Sequence, residues 1–253
     1  MGLQIVEKKP MGQMKYEVRI AKKEVGFDMS QKSQVVAVFD ISGSMEFPEN
    51  RFYTSGIMAG LATRVLALAL TLDDDGNVPV YPFNHSVTQL REDLTEANLD
   101  GYINRYFSNI GGGTNYAPFI QRVMEDAGPG DPMLVLVFTD GDNDDKRQAE
   151  EAIKAASHLP IFWQFFGIYG KGRAPGFSFL KKLDEMGGRR IDNAGFMELG
   201  LYNVTDTELY ASMLSEYKDY PAKAKVAGLL DANGKWDGSR QSSGGLRGLF
   251  SRR

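Results

Sequence analysis

Three side chains within five residues, Asp40, Ser42 and Ser44 of Asp40-Ile-Ser-Gly-Ser44, offer oxygen and neither nitrogen nor sulfur. One carboxylate and two hydroxyls make a ligand set that suits a hard divalent cation such as Mg²⁺. A second carboxylate, Asp140, begins the acidic run Asp140-Gly-Asp-Asn-Asp-Asp145. Between the two stretches lies Gly111-Gly-Gly-Thr114, where three glycines let backbone approach a ligand closely. The chain has no cysteine, which excludes disulfides, thiolate catalysis and cysteine-based zinc sites. A Ser-His-Asp triad or an imidazole-rich site would have to draw on His85 or His158, the only two histidines. His85 falls in the polar turn Asn84-His-Ser86 and reads as a surface residue.

The elements that must position these groups are legible in the apolar pattern. Val35–Phe39 is a buried-strand run that ends on Asp40, and Met133–Phe138 runs into Thr139-Asp140 in the same way. Ile161–Ile168 is a third strongly apolar strand, and Arg190–Leu199 a final one. Val78–Phe83 is a short or irregular strand because it contains Pro79 and Pro82, with Val87–Leu90 as a brief hairpin partner. Helical spacing covers Thr54–Leu72 through Ile57, Leu61, Val65, Leu68 and Leu72. Further helices are expected at Thr95–Tyr106, Ala117–Ala127, Lys146–Ser157, Phe177–Met186 and from Thr205 to about Tyr217, the last opened by the capping box Thr205-Asp-Thr-Glu208. Strands alternating with helices give an α/β, doubly wound, mostly parallel sheet with helices on both faces. Ligands in such sheets bind beyond the carboxyl ends of the strands, where strand order reverses. If the Asp40 and Asp140 strands adjoin there, the two carboxylates meet and the Gly111–Thr114 loop can reach them.

Rival chemistries are weaker. The glycine triplet lacks both the Gly-Lys-Ser/Thr ending of a phosphate loop and G-x-G-x-x-G spacing. Asp73-Asp-Asp75 lacks the alternation of a calcium loop and reads as a solvated turn. Asp142 reads as loop, and Asp144 and Asp145 as negative charge at the N-terminus of the following helix. An apolar strand ending in Asp also begins the haloacid-dehalogenase site, so Mg²⁺-dependent phosphoryl transfer is the alternative function. Here Ser42 stands where that chemistry needs a second carboxylate.

Composition is that of a globular chain: 253 residues, 42% hydrophobic and 25% charged, with net charge −4. A negative balance argues against nucleic acid as the main partner, and the sequence has neither a membrane-spanning run nor a signal-peptide core. The expected location is the cytoplasm. Four segments are expected: an N-terminal extension over 1–32, a β-hairpin or strand on the alternation of Lys15–Ile20; a main domain over 33–220; a helical segment over 221–237; and a Gly/Ser linker with a basic tail over 238–253. Leu246, Leu249 and Phe250 among three arginines leave two readings of the tail open, docking on a partner groove or acidic membrane surface, and disorder, which composition favours.

Asp40-x-Ser42-x-Ser44, Thr114 and Asp140, in that order and at strand ends, resemble the metal-ion-dependent adhesion site of von Willebrand factor A (VWA) domains. The resemblance spans Gln34 to Tyr217. It is closer to the bacterial tellurium-resistance, TerF-like branch through Ile20–Phe27, Ile161–Phe166 and Arg190–Phe196. It implies a six-stranded sheet, one strand antiparallel, in the order 3-2-1-4-5-6, with Asp40, Ser42, Ser44, Thr114 and Asp140 holding Mg²⁺ (or Mn²⁺ or Ca²⁺). It further implies a non-enzymatic, metal-dependent protein-binding module of a tellurite-resistance or stress-response system. A partner's acidic side chain would fill the cation's open position, the partner being another tellurium-resistance protein or a AAA+ ATPase.

Overall fold

In the computed structural model, which describes residues 4–73, 75–88, 90–141, 143–170, 176–201 and 204–239, the apolar runs lie side by side as one parallel sheet. Its strands are β1 (Gln34–Asp40), β2 (Val80–Phe83), β3 (Met133–Thr139), β4 (Ile161–Tyr169) and β5 (Ala194–Gly200), in the order β2-β1-β3-β4-β5. β1 from Val35 onward and all of β3 are buried, as strands covered on both faces must be. The chain leaves β1 for β2 on one side and returns to β3 on the other, so strand order reverses at β1. Phe39 pairs with Phe138, and the two strands therefore run out at the same level beside that switch point.

The helices are α1 (Met11–Val25), α2 (Ile57–Leu72), α3 (Tyr102–Tyr106), α4 (Ala117–Asp126), α5 (Lys146–Ala156), α6 (Ser178–Glu185), α7 (Asp206–Leu214) and α8 (Tyr220–Val226). Successive residues of β4 serve opposite layers, as strand geometry requires. Trp163 meets Phe119 of α4, while Phe162 meets Tyr217 and Tyr220 at the start of α8. The Thr205 capping box forms as expected. α2 begins at Ile57, three residues later than its spacing suggests, because Gly56 precedes it in the left-handed region. Gly101 delays α3 to Tyr102 in the same way.

The described residues hold five strands and not six. The sixth, antiparallel strand is not among them; at its expected place Val87 forms an isolated bridge with Phe83, and the Leu90 N–H donates to the Val80 carbonyl at 3.4 Å, while Gln89 lies outside the described residues. Pro82 faces this edge and has no N–H, so only its carbonyl can take part, accepting from the Thr88 N–H at 3.1 Å. A second isolated bridge, Val78 to Leu94, is offset by two residues from that pairing.

The N-terminal extension is a helix and not a hairpin. Met14, Val18 and Ala21 recur at helical spacing and are buried, whereas Tyr16, which the alternating reading placed beside Val18, is exposed. α1 packs on α7 and α2. That tertiary face outweighs the local alternation of Lys15–Ile20. Gly26, at φ 73°, ends the helix. Ahead of α1, the carbonyl of Ile5 accepts from Arg64 at 2.7 Å, and a Cβ at Gly60 would collide with that carbonyl oxygen. Arg64, 1% exposed, also pairs with Asp206 at 3.0 Å, and Lys9 reaches the other oxygen of Asp206 at 2.8 Å.

The 221–237 segment is helical only as far as Val226; beyond it, Trp236 exchanges backbone hydrogen bonds with Gly130 at 2.9 and 2.7 Å. Asp74, Asp142 and the tail from residue 240 lie outside the described residues. Among the described residues no helix is long and apolar enough to cross a membrane.

Candidate metal centre

Asp40 is the last residue of β1 and is completely buried. Its two carboxylate oxygens are held apart by different donors. Oδ1 accepts from the backbone N–H of Ser42 at 2.7 Å, and Oδ2 from the hydroxyl of Thr139, at the end of β3, at 2.6 Å. Each oxygen keeps a further lone pair for a cation or a water. The chain then turns through a 3₁₀ segment, Gly43–Glu46, which brings Ser42 Oγ to 3.2 Å from Ser44 Oγ. The turn is fixed from outside. Glu46 accepts from the backbone N–H groups of Tyr53 and Thr54 at 2.6 and 2.9 Å, and the Tyr53 hydroxyl donates to the Asp40 carbonyl at 2.6 Å.

The glycine loop is tied to that turn by backbone. The Gly111 N–H donates to the Ile41 carbonyl at 2.8 Å, and the Gly43 N–H to the Gly112 carbonyl at 3.1 Å. Gly112 needs to be glycine, since its φ is 85° and a Cβ there would lie 2.7 Å from Nδ1 of the exposed His85. Thr114 follows, nearly buried, and its carbonyl accepts from the Asp144 N–H at 2.8 Å. The loop after β3 is thereby joined to the glycine loop. Asp145, expected to favour its own helix α5, instead accepts from the N–H groups of Tyr116 and Ala117 at 2.8 Å each and caps the start of α4.

These ties gather the sequence-predicted residues at one end of the sheet. Ser44, Thr114 and Asp140 line a cavity of about 440 Å³ together with Gly113, Asn143, Asp144, Phe47 and Tyr169. Asp40 and Ser42 are buried, with Ser42 reaching the cavity wall through its contact with Ser44. Burial pushes the Asp40 carboxyl up to about 7, the negative charge of Asp140 adds to the shift, and the hydrogen bonds from Ser42 and Thr139 oppose it. A buried carboxylate whose charge is disfavoured by burial and by Asp140, with neutral hydroxyls beside it, fits a divalent cation, whose charge opposes both effects. Among the described residues no three His, Cys, Asp or Glu side chains gather as a metal-holding group, so a cation here would depend on hydroxyl donors.

Sequence reasoning did not assign Thr139 a role, although it orients Asp40 and itself lies 3.2 Å from the Tyr116 hydroxyl. The signal present was a hydroxyl immediately before Asp140 at a strand end. Tyr53 offered no local signal, because it reaches back 13 residues to the Asp40 carbonyl.

A family model described as the vWA found in the TerF C terminus matches residues 32–230. YcbR of Bacillus subtilis (strain 168), itself described as uncharacterized, is 30% identical over 208 residues, covering 78% of this chain and 81% of the relative. Proximal thread matrix protein 1 from the mussel byssus aligns with a TM-score of 0.54 at 15% identity, over 77% of this chain and 49% of that one, so the chain spans about half the mussel protein's length. The SpRpn10 VWA domain aligns at 0.49 and 9% identity, over 71% of this chain and 93% of its own.

Proposed function

Because the chain belongs to the family of VWA domains found at the C terminus of TerF, we propose that it is a non-enzymatic, metal-dependent protein-binding module. The cation is Mg²⁺, with Mn²⁺ or Ca²⁺ able to take its place. Asp40 and Asp140 supply the charge that balances it, and Ser42, Ser44 and Thr114 supply neutral oxygens. When bound, the cation would provide an electrophilic centre that attracts an acidic side chain from a partner protein. The chain's own part is to hold those oxygens in place. Thr139 and the Ser42 N–H fix the Asp40 carboxylate, and the backbone ties between Ile41, Gly43, Gly111 and Gly112 fix the two loops.

One observation carries this reading. Ser44, Thr114 and Asp140, from three separate segments, line one cavity, and Ser44 touches Ser42 beside the buried Asp40 carboxylate, which is pushed up to about 7. A phosphoryl-transfer enzyme would need an acid–base carboxylate where Ser42 stands, and Ser42 is 1% exposed and engaged with Ser44. The TerF relationship suggests a tellurite-resistance or stress-response system, with another protein of that system or a AAA+ ATPase as the partner. The test is capture of partners from a lysate on immobilised protein in Mg²⁺ or EDTA, alongside Asp40→Ala. Capture that needs both the metal and Asp40 supports the proposal, and a partner retained equally in EDTA and by the variant refutes it.

A further inference from the structure

At the end of the sheet opposite the metal centre, the fold gathers a positive face that the proposed function does not use. The segment after α1 meets the segment around α8 there, at the amino ends of the strands. The Tyr217 hydroxyl donates to Ser33 Oγ at 2.7 Å, just ahead of β1, and the Tyr220 hydroxyl to the Leu159 carbonyl at 3.1 Å, just ahead of β4. Phe27 stacks on Tyr217 with ring centroids 6.0 Å apart, and Lys218 Nζ donates to the Val25 carbonyl at 3.0 Å. Residues 19–32 and 218–226 bring the exposed Arg19, Lys23, Lys32, Lys223 and Lys225 to this end, against Glu24, Asp28 and Asp219. These like charges press on one another: burial and then Lys32 and Arg19 hold the Lys22 ammonium below its ordinary value, with Asp28 opposing. Asp131, Asp231 and Asp237, at the same end, are engaged by Lys235 and the Ser239 N–H at 2.7 to 2.8 Å.

Apolar side chains stand among these charges. Met29 is 53% exposed, and Val226, the last residue of α8, is 91% exposed. The described chain also ends here: a Cβ at Gly234 would lie 3.0 Å from Lys225 Cε, and Trp236 pairs with Gly130 shortly before β3. The sequence beyond Ser239 holds four arginines and no acid, with Leu246, Leu249 and Phe250 among them. We infer that this end of the molecule docks on an anionic lipid surface, its lysines on the headgroups and Met29 and Val226 entering between them. The lysines reach the anionic headgroups while the apolar side chains leave water. Either signal alone gives weak, reversible attachment, and this end offers both. An acidic protein segment would match the charges, but the exposed Val226 beside them favours lipid. Docked in this way, the protein turns its metal centre away from the membrane, towards a partner.

Co-sedimentation of the full chain with vesicles tests this, in EDTA so that the cation's site has no part. Vesicles in which about a third of the lipid is phosphatidylglycerol should carry the protein down, and phosphatidylcholine vesicles should not. Binding should weaken as salt is raised. Lys223→Gln and Lys225→Gln should each weaken it about fivefold, and Val226→Ser also by about fivefold. All three positions are exposed, so the variants should unfold at the wild-type temperature. Sedimentation with neither kind of vesicle, or equally with both, overturns the inference. So does binding that these three changes leave intact and that Arg247→Gln, Arg252→Gln and Arg253→Gln together abolish, which would place it in the tail sequence alone. Polyglutamate bound as tightly as the anionic vesicles, with Val226→Ser weakening neither, would make an acidic protein the ligand and overturn it too. Each of these results is independent of the metal site.

Discussion

Asp40→Asn separates the strain that a buried carboxylate places on the fold from the cation affinity it provides. Burial, reinforced by Asp140, raises the Asp40 carboxyl from 3.8 to about 7. The folded state therefore keeps a proton that the unfolded chain has released between about pH 4 and pH 7. The contribution to stability is fully present below the unfolded value and is lost as pH rises through about 7. At about 1.4 kcal/mol per unit, the loss at pH 8 is on the order of 4 kcal/mol in the metal-free protein. Asparagine removes the charge and keeps the shape. The Ser42 N–H still finds an oxygen, and the Thr139 hydroxyl can turn to accept from the new amide while donating toward Tyr116, 3.2 Å away. Scanning calorimetry in EDTA at pH 8 should find the variant more stable than wild type, by roughly 2–4 °C for each kcal/mol in a chain of this size. The difference should shrink as the buffer is brought down through pH 7 to pH 5, and saturating Mg²⁺ should raise the wild-type transition alone. A variant less stable than wild type in EDTA at pH 8, with the same pH profile, would refute the reasoning.

Two further outcomes follow from contacts of residues outside the five candidate ligands. Thr139→Val removes the hydroxyl that orients Asp40, and Mn²⁺ affinity measured by calorimetry should fall about tenfold, with unchanged affinity counting against a positioning role. Asp206→Asn leaves Arg64 buried without its carboxylate; urea unfolding should show a loss of about 3–5 kcal/mol, and a loss under about 1 kcal/mol would mean that the carbonyls of Ile5 and Glu7 suffice to hold the guanidinium.

The parts of the fold that sequence reading reached are those with a local cause. Val35–Phe39 and Met133–Phe138 are buried on both faces, so their apolar runs stand out, and each ends on a polar residue, Asp40 or Thr139, that is buried with hydrogen bonds. The same locality made Asp40, Ser42 and Ser44 visible. What was missed depends on partners far along the chain. Lys15–Ile20 alternates like a strand, yet Met14, Val18 and Ala21 form a helical stripe whose use is decided by α7 and α2. Beside the expected antiparallel strand, Pro82 has no N–H to return to Thr88, an edge effect that weakens the pairing and shows only once the partner is known. Thr139 meets Asp40 across 99 residues, and Asp145 serves a helix that begins 28 residues before it. The spacing of neither residue could have indicated this. Asp144 belongs with them, since its position beside Thr114 depends on two loops being tied together.

The central claim is that a divalent cation is held by the side chains gathered at the carboxyl end of β1 and β3. The most direct test is an anomalous-scattering map from a crystal of the protein soaked in Mn²⁺. The account predicts one strong peak in the cavity between Ser44, Thr114 and Asp140, within reach of the Ser42 hydroxyl and the Asp40 carboxylate, and absent from crystals of Asp40→Ala. A map with no peak there, or with manganese bound only at carboxylates elsewhere on the surface, would contradict it.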